Sequence, residues 1–252
     1  MSLENNTFIL SSILEILREG VVVSSNIVNG IENYALSEYL LQSVFLKMTG
    51  YQEQKLKCIC WDIASIDLDF RYKLLNKLKL SECSSKEDKN TVYNELHDLL
   101  LKYEVFSNDD EFSKFLDAKT IAEKTKETII KYFENTLFEY NMEQNFDIFT
   151  NDKFLIDAYS NFKEKKNIFP VDNIRKKYNI LRFYENGLYR ERNRCAHNLR
   201  SYQQNLPRLI DIRNKENTNY NYYNYFHLLS IMDEIYKKMY EKLIERVTLY
   251  NW

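Results

Sequence analysis

Glycine and proline are scarce. The 252 residues hold four Gly and two Pro, against average usage of about 7% and 5%. So few turn-forming residues exclude a fold built from many short strands and tight turns, and favour long helices. Cysteine is also sparse, at Cys58, Cys60, Cys83 and Cys195. Their spacing fits no disulfide scaffold, and Cys58-x-Cys60 with the distant Cys83 and His97 is not a zinc pattern. The expectation is reduced thiols in a core. No apolar run approaches the roughly 20 residues of a membrane span, and the opening Met-Ser-Leu-Glu-Asn-Asn lacks a basic leader region. A cytoplasmic protein with no membrane partner is expected. Without a Gly-rich phosphate loop or a zinc motif, nucleotide hydrolysis and deamination are poor readings. The formal net charge of −2 supplies no global field to attract a polyanion.

What is present is helix-forming. The chain is 44% hydrophobic and 29% charged, a globular composition, and its apolar residues recur at helical spacing. The spacing predicts helices over 7–18, 31–47 (closed by Gly50), 52–66, 68–80, 91–103, 120–140, about 152–163, 173–200 and 222–248. Ser107-Asn108-Asp109-Asp110 should cap a short helix ending near Asp117. Val21-Val22-Val23 is strand-like but too short to need a sheet. Asn29-Gly30 reads as a turn, 81–88 as a polar loop, 147–151 as a connection, Lys163-Glu164-Lys165-Lys166 as a solvated exit and 201–219 as irregular. Gly187, inside the 173–200 pattern, predicts a kink. The fold class is therefore all-α, a multi-helix bundle. Residues 1–165 form an N-terminal helical region packed as one unit with 166–252. Leu228, Leu229, Met232, Ile235, Met239, Leu243 and Val247 make a near-heptad row in the last helix, which suits either a core or a dimer seam.

Charge is unevenly spread. Between Arg175 and Arg213, ten Lys and Arg stand against three acidic residues, and eight of the eleven arginines lie there. Such a stretch can be a solvated face with snorkelling side chains, but arginine's guanidinium fork suits phosphate. At its centre is Arg190-Glu191-Arg192-Asn193-Arg194-Cys195-Ala196-His197-Asn198-Leu199-Arg200. In a helix, Leu188, Cys195 and Leu199 would face inward, with Arg190, Asn193, Arg194, His197 and Arg200 opposite. Asn193 and His197 are at i and i+4 and can touch. Arg192 is about 140° away by the 3.6-residue period, within reach of a shared ligand. An arginine to neutralise a phosphodiester, a histidine to move a proton near neutral pH and an asparagine to orient it make a ribonuclease-type set. Glu185 and Glu191 are the only local carboxylates, so no acidic cluster stands ready for magnesium. Attack by the ribose 2′-hydroxyl, leaving a 2′,3′-cyclic phosphate, is the natural mechanism, with RNA as substrate. The bare Arg-to-His spacing is weak, arising by chance in roughly a third of chains with this composition. The fixed spacing, the Asn after the Arg, and the placement before a long helix sharpen it.

Arg192-Asn193-x-x-x-His197 resembles the Arg-x(4–6)-His signature of the HEPN superfamily, over the helices from about 170 to 250. That resemblance implies an α-helical HEPN-type bundle in which 166–252 form the catalytic helices. It implies a metal-independent endoribonuclease of the toxin or abortive-infection kind, without cofactor. Arg192 and His197 would be the catalytic pair and Asn193 their support, with Arg190, Arg194 and Arg200 on the RNA phosphates. Family sites are usually composite, which implies a homodimer, and an antitoxin or other regulatory protein is a further expected partner. One departure stands out. The tyrosine two residues after the histidine, the modification target in toxins paired with nucleotidyltransferase antitoxins, is here Leu199. Two rivals remain: a HEPN-type RNA- or nucleotide-binding module without cleavage, and a helical scaffold dimerising through the last helix. His97 and His227 are expected to be structural. The aromatic run at 219–226 could stack RNA bases or be a packed helix entry.

Overall fold

The computed structural model describes residues 5–25, 33–78, 80–160, 162, 167–170, 179–197 and 221–250, and the backbone alone at His197, Leu249 and Tyr250. It is helical throughout, with no strand among the described residues. The helices are α1 (Asn6–Leu10), α2 (Leu14–Ser24), α3 (Tyr34–Ile66), α4 (Leu68–Asn76), α5 (Lys86–Lys102), α6 (Asp109–Leu116), α7 (Ala118–Phe133), α8 (Leu137–Asn141), α9 (Glu143–Asn151), α10 (Phe154–Ser160), α11 (Ile180–Phe183), α12 (Arg190–His197) and α13 (Tyr222–Tyr250). A π-helical turn, Tyr184–Tyr189, joins α11 to α12. No described helix is long and apolar enough to cross a membrane.

The last helix is the axis of the fold. From Tyr222 to Asp233 every residue of α13 is buried, so this helix is enclosed on all sides rather than on one stripe. It packs against α3, α5 and α7, with α1, α6 and α9 completing the shell. The near-heptad row is fully used here: Leu228, Leu229, Met232, Ile235, Met239 and Leu243 are each at most 1% exposed. That removes the row as a dimer seam. Each such side chain contributes about 1.5–3 kcal/mol by leaving water.

The longest helix departs from expectation. Gly50 was expected to end one helix, but α3 runs through it for 33 residues. A glycine there costs about 1 kcal/mol. Burial of Phe45, Met48, Leu56 and Ile59 on either side outweighs it. Gln52 also ties this level of α3 to α13, donating from Nε2 to the Leu229 carbonyl at 3.1 Å. Three residues along, Lys55 forms a buried ion pair with Asp233 of α13 (2.9 Å).

Other local differences have local causes. Val21–Val23 are helical within α2, and Val22 and Val23 are well exposed, so no sheet was needed to cover them. The expected 7–18 helix breaks at residues 11–13, where Ile13 N donates to Asp233 (3.2 Å) and Lys55 donates to the Ser11 carbonyl. The expected 120–140 helix stops at Phe133, because Asn135 takes a left-handed conformation (φ 60°), one that asparagine tolerates. Residues 147–151 continue α9 rather than connecting. Ser85, Asn108 and Asp117 cap α5, α6 and α7 with their side-chain oxygens. Asn29-Gly30, 163–166 and 201–219 lie outside the described residues.

Candidate active site

The π-helical turn sits immediately before the motif and includes Gly187, where the sequence predicted a kink. Such turns arise where a helix accommodates one extra residue, often beside functional residues. Asn179 caps the start of this segment, accepting from the Arg182 amide at 3.0 Å. Tyr184, Gly187 and Leu188 are buried, and the Tyr184 hydroxyl donates to the Ser84 carbonyl at 2.6 Å. These contacts anchor the helix that α12 continues, and α12 itself packs on α3.

Arg192 and Asn193 are half-buried on α12, with His197 in the same helix. Arg192 Nη1 donates to Asn193 Oδ1 at 3.1 Å, and its Nη2 donates to Glu53 Oε2 on α3 at 3.0 Å. The guanidinium is therefore held from two sides, and among the described residues no other acceptor meets its remaining N–H groups. The backbone places Asn193 and His197 one turn apart on one face; the His197 side chain lies outside the description.

The flanking arginines divide. Arg190 is exposed. Arg194, expected on the phosphate-binding face, instead folds back onto Glu191, with its Nε donating to Oε2 at 2.7 Å and its Nη2 to Oε1. The reason is Glu191, which is 5% exposed and needs a counter-charge. Tyr222 of α13 completes the cluster, its hydroxyl donating to Glu191 Oε1 at 2.6 Å. Burial alone would push the Glu191 carboxyl up, but the hydrogen bonds from Arg194 and Tyr222 hold it below its usual range. Burial and the adjacent Glu191 charge push the Cys195 thiol up to about 12, so this cysteine is no nucleophile. Arg200 lies outside the described residues.

Around Arg192 the sequence reading missed a polar group supplied by the N-terminal helices. Beside Glu53, Gln52 Oε1 accepts from Lys89 of α5 at 2.8 Å. Lys89 is 2% exposed, and burial lowers its ammonium pKa to about 8. Nearby, Lys57 pairs with Glu82 at the surface. A signal for this group exists in the sequence. Along Leu41, Phe45, Met48, Gln52, Lys55, Leu56, Ile59, the core face of α3 turns polar at Gln52 and Lys55, where the period asks for apolar residues. Among the described residues, no group of three or more His, Cys, Asp or Glu side chains could hold a metal ion.

No family model, curated protein or solved structure matches this chain.

The other histidines are buried and structural. His97 packs edge-on against Phe112 at 4.7 Å, with Nε2 3.1 Å from the Asp109 carboxylate. His227 lies between Ala122 of α7 and Phe149 of α9. The described part of the aromatic run is a packed helix entry: Tyr222, Tyr223, Tyr225 and Phe226 are buried and pack against Phe45, Phe133 and Phe149.

Proposed function

We propose that this chain is a metal-independent endoribonuclease of HEPN type. It cleaves RNA by 2′-hydroxyl attack, leaves a 2′,3′-cyclic phosphate, and acts in the cytoplasm in a defence or toxin role. The observation that carries the reading is the posture of Arg192. Its guanidinium is fixed by Glu53 and Asn193 at 3.0 and 3.1 Å on the helix that contains His197. In this reading Arg192 holds the scissile phosphate, Asn193 steadies the arginine, and His197 exchanges a proton with the reacting ribose or leaving oxygen. Exposed Arg190 and the more distal Arg200 contact flanking phosphates, whereas Arg194 stabilises the helix through Glu191. A second copy of the chain and a restraining antitoxin-like protein belong to the same reading.

The test is RNA cleavage in EDTA by wild type, Arg192→Ala and His197→Ala, with product ends identified. Each variant should lose activity by ~100-fold or more with its helix content unchanged. Cleavage that EDTA abolishes, or that His197→Ala retains, overturns the reading. One observation favours a second reading, a binding or interaction module: the Arg192–Glu53 ion pair also ties α12 to α3. Salt-sensitive RNA binding without product would select it.

A further inference from the structure

Cleavage of RNA by its own 2′-hydroxyl moves two protons, one off the attacking oxygen and one onto the departing 5′-oxygen. A single histidine serves one of these at a time, and arginine keeps its proton throughout. The carboxylate nearest in sequence, Glu191, is engaged on both oxygens by Arg194 and Tyr222. The carboxylate that meets Arg192 comes instead from α3, a region that the sequence alone left without a role. Glu53 presents Oε2 to Arg192 Nη2 at 3.0 Å, and its side chain is 13% exposed. Among the described residues Arg192 is its one hydrogen-bond donor, and that bond is made to Oε2. It stands next to the point where a phosphate would dock, and the ribose 2′-oxygen is the neighbour of that phosphate.

We infer that Glu53 is the general base of this site, taking the 2′-hydroxyl proton of the nucleotide whose phosphate Arg192 holds. The inference rests on the ribonuclease reading above. The O2′–P bond forms as Glu53 accepts the proton. The P–O5′ bond breaks as His197, in its protonated form, donates a proton to O5′. The products are a 2′,3′-cyclic phosphate and a 5′-hydroxyl. Glu53 then returns its proton to solvent and His197 regains one, so no other reactant is consumed. The base comes from α3, which gives residues 1–165 a direct part in the chemistry. Lys57 and Lys89 lie close enough for their charges to act on Glu53.

The experiment compares wild type, Glu53→Gln, Glu53→Asp, Glu53→Ala and His197→Ala on two substrates. One is an ordinary RNA. The other is the same RNA with sulfur in place of the scissile 5′-oxygen, whose thiolate departs without being protonated. Glu53→Gln should slow kcat by ~100-fold or more on both substrates, while KM changes little. His197→Ala should be slow on the oxygen substrate and recover on the sulfur one. Glu53→Asp, which keeps a carboxylate, should retain more activity than Glu53→Gln. Added formate and acetate should each restore part of the activity of Glu53→Ala, and rescue that rises with the basicity of the carboxylate marks a proton transfer, which an ion pair with Arg192 alone would not give. Circular dichroism on each variant separates misfolding from lost chemistry. Full activity in Glu53→Gln overturns the base while leaving the ribonuclease intact, as does a defect confined to KM or cured by the sulfur substrate. A wild type that cleaves neither RNA overturns both.

Discussion

Acid should unfold this protein partly through one residue that does no chemistry. His227 is 2% exposed, and its Nε2 lies 2.7 Å from the Ala122 carbonyl. A carbonyl only accepts, so Nε2 carries the proton and donates it. Burial drives the imidazole pKa down to about 3 from the usual 6.5; the Ala122 hydrogen bond opposes this and the Lys126 charge adds to it. A group whose pKa is lower folded than unfolded stabilises the fold above its unfolded pKa. That contribution is lost as pH falls from about 6.5 towards 3. At about 1.4 kcal/mol per pH unit, the loss is about 1 kcal/mol near pH 5.5 and about 3 kcal/mol near pH 4.5. His227→Gln keeps an amide donor for Ala122 but cannot titrate. Urea unfolding of both proteins near pH 7.5, 5.5 and 4.5 isolates the effect, since carboxylates titrate in both and cancel. The stability difference should shift by about 3 kcal/mol in the variant's favour between the highest and lowest pH. Parallel pH curves would refute the reasoning, because they would mean that His227 is not held neutral.

Two further perturbations test the packing. Lys55→Met strands the Asp233 carboxylate, since both residues are 3% exposed or less; it should cost about 3–5 kcal/mol in denaturant melts, and Lys55→Met with Asp233→Leu should recover most of that. Gly50→Ala should stabilise by about 0.5–1 kcal/mol, because a β-carbon there meets nothing within 4 Å. Gly20→Ala should destabilise in the same melts, because its β-carbon would sit 2.5 Å from Val44 Cγ2.

Helical class and the last helix were legible because they rest on long apolar periodicity and on the near absence of Gly and Pro. The cap at Asn108 was legible for a local reason, a short polar side chain before an acidic first turn, whereas Ser85, which caps α5 inside the expected loop, was not read as one. Breaks were less legible. Gly50 looked like a terminus, yet the packing of Met48 and Gln52 carries the helix through. At Asn135 nothing in the flanking apolar pattern announces that the chain turns. For the site, the spacing paired Asn193 with His197, and the structure adds a bond from Arg192 to Asn193 that the spacing did not foresee; Arg194 does not join them. Its partner Glu191 is buried by Tyr222, which is 28 residues from Arg194 in sequence. The place of Glu53 and Lys89 beside Arg192 was not legible, for the same reason. Their relation to Arg192 is tertiary, with 139 residues separating Glu53 from the guanidinium it holds.

The π-helical turn at Tyr184–Tyr189 bears on which length changes the motif can survive. Such a turn stores one residue more than an α-helical turn while the helix on either side stays in phase. Losing one residue within 184–189 would close the turn to α geometry and leave α12 facing α3 as before. Losing one within 194–196 has no such reservoir. Everything beyond the gap would rotate by about 100°, carrying the His197 position from about 40° on one side of Asn193 to about 60° on the other. Two deletions of equal size, a few residues apart, would therefore differ: one leaves the His197 position as it is, and the other swings it to the far side of Asn193.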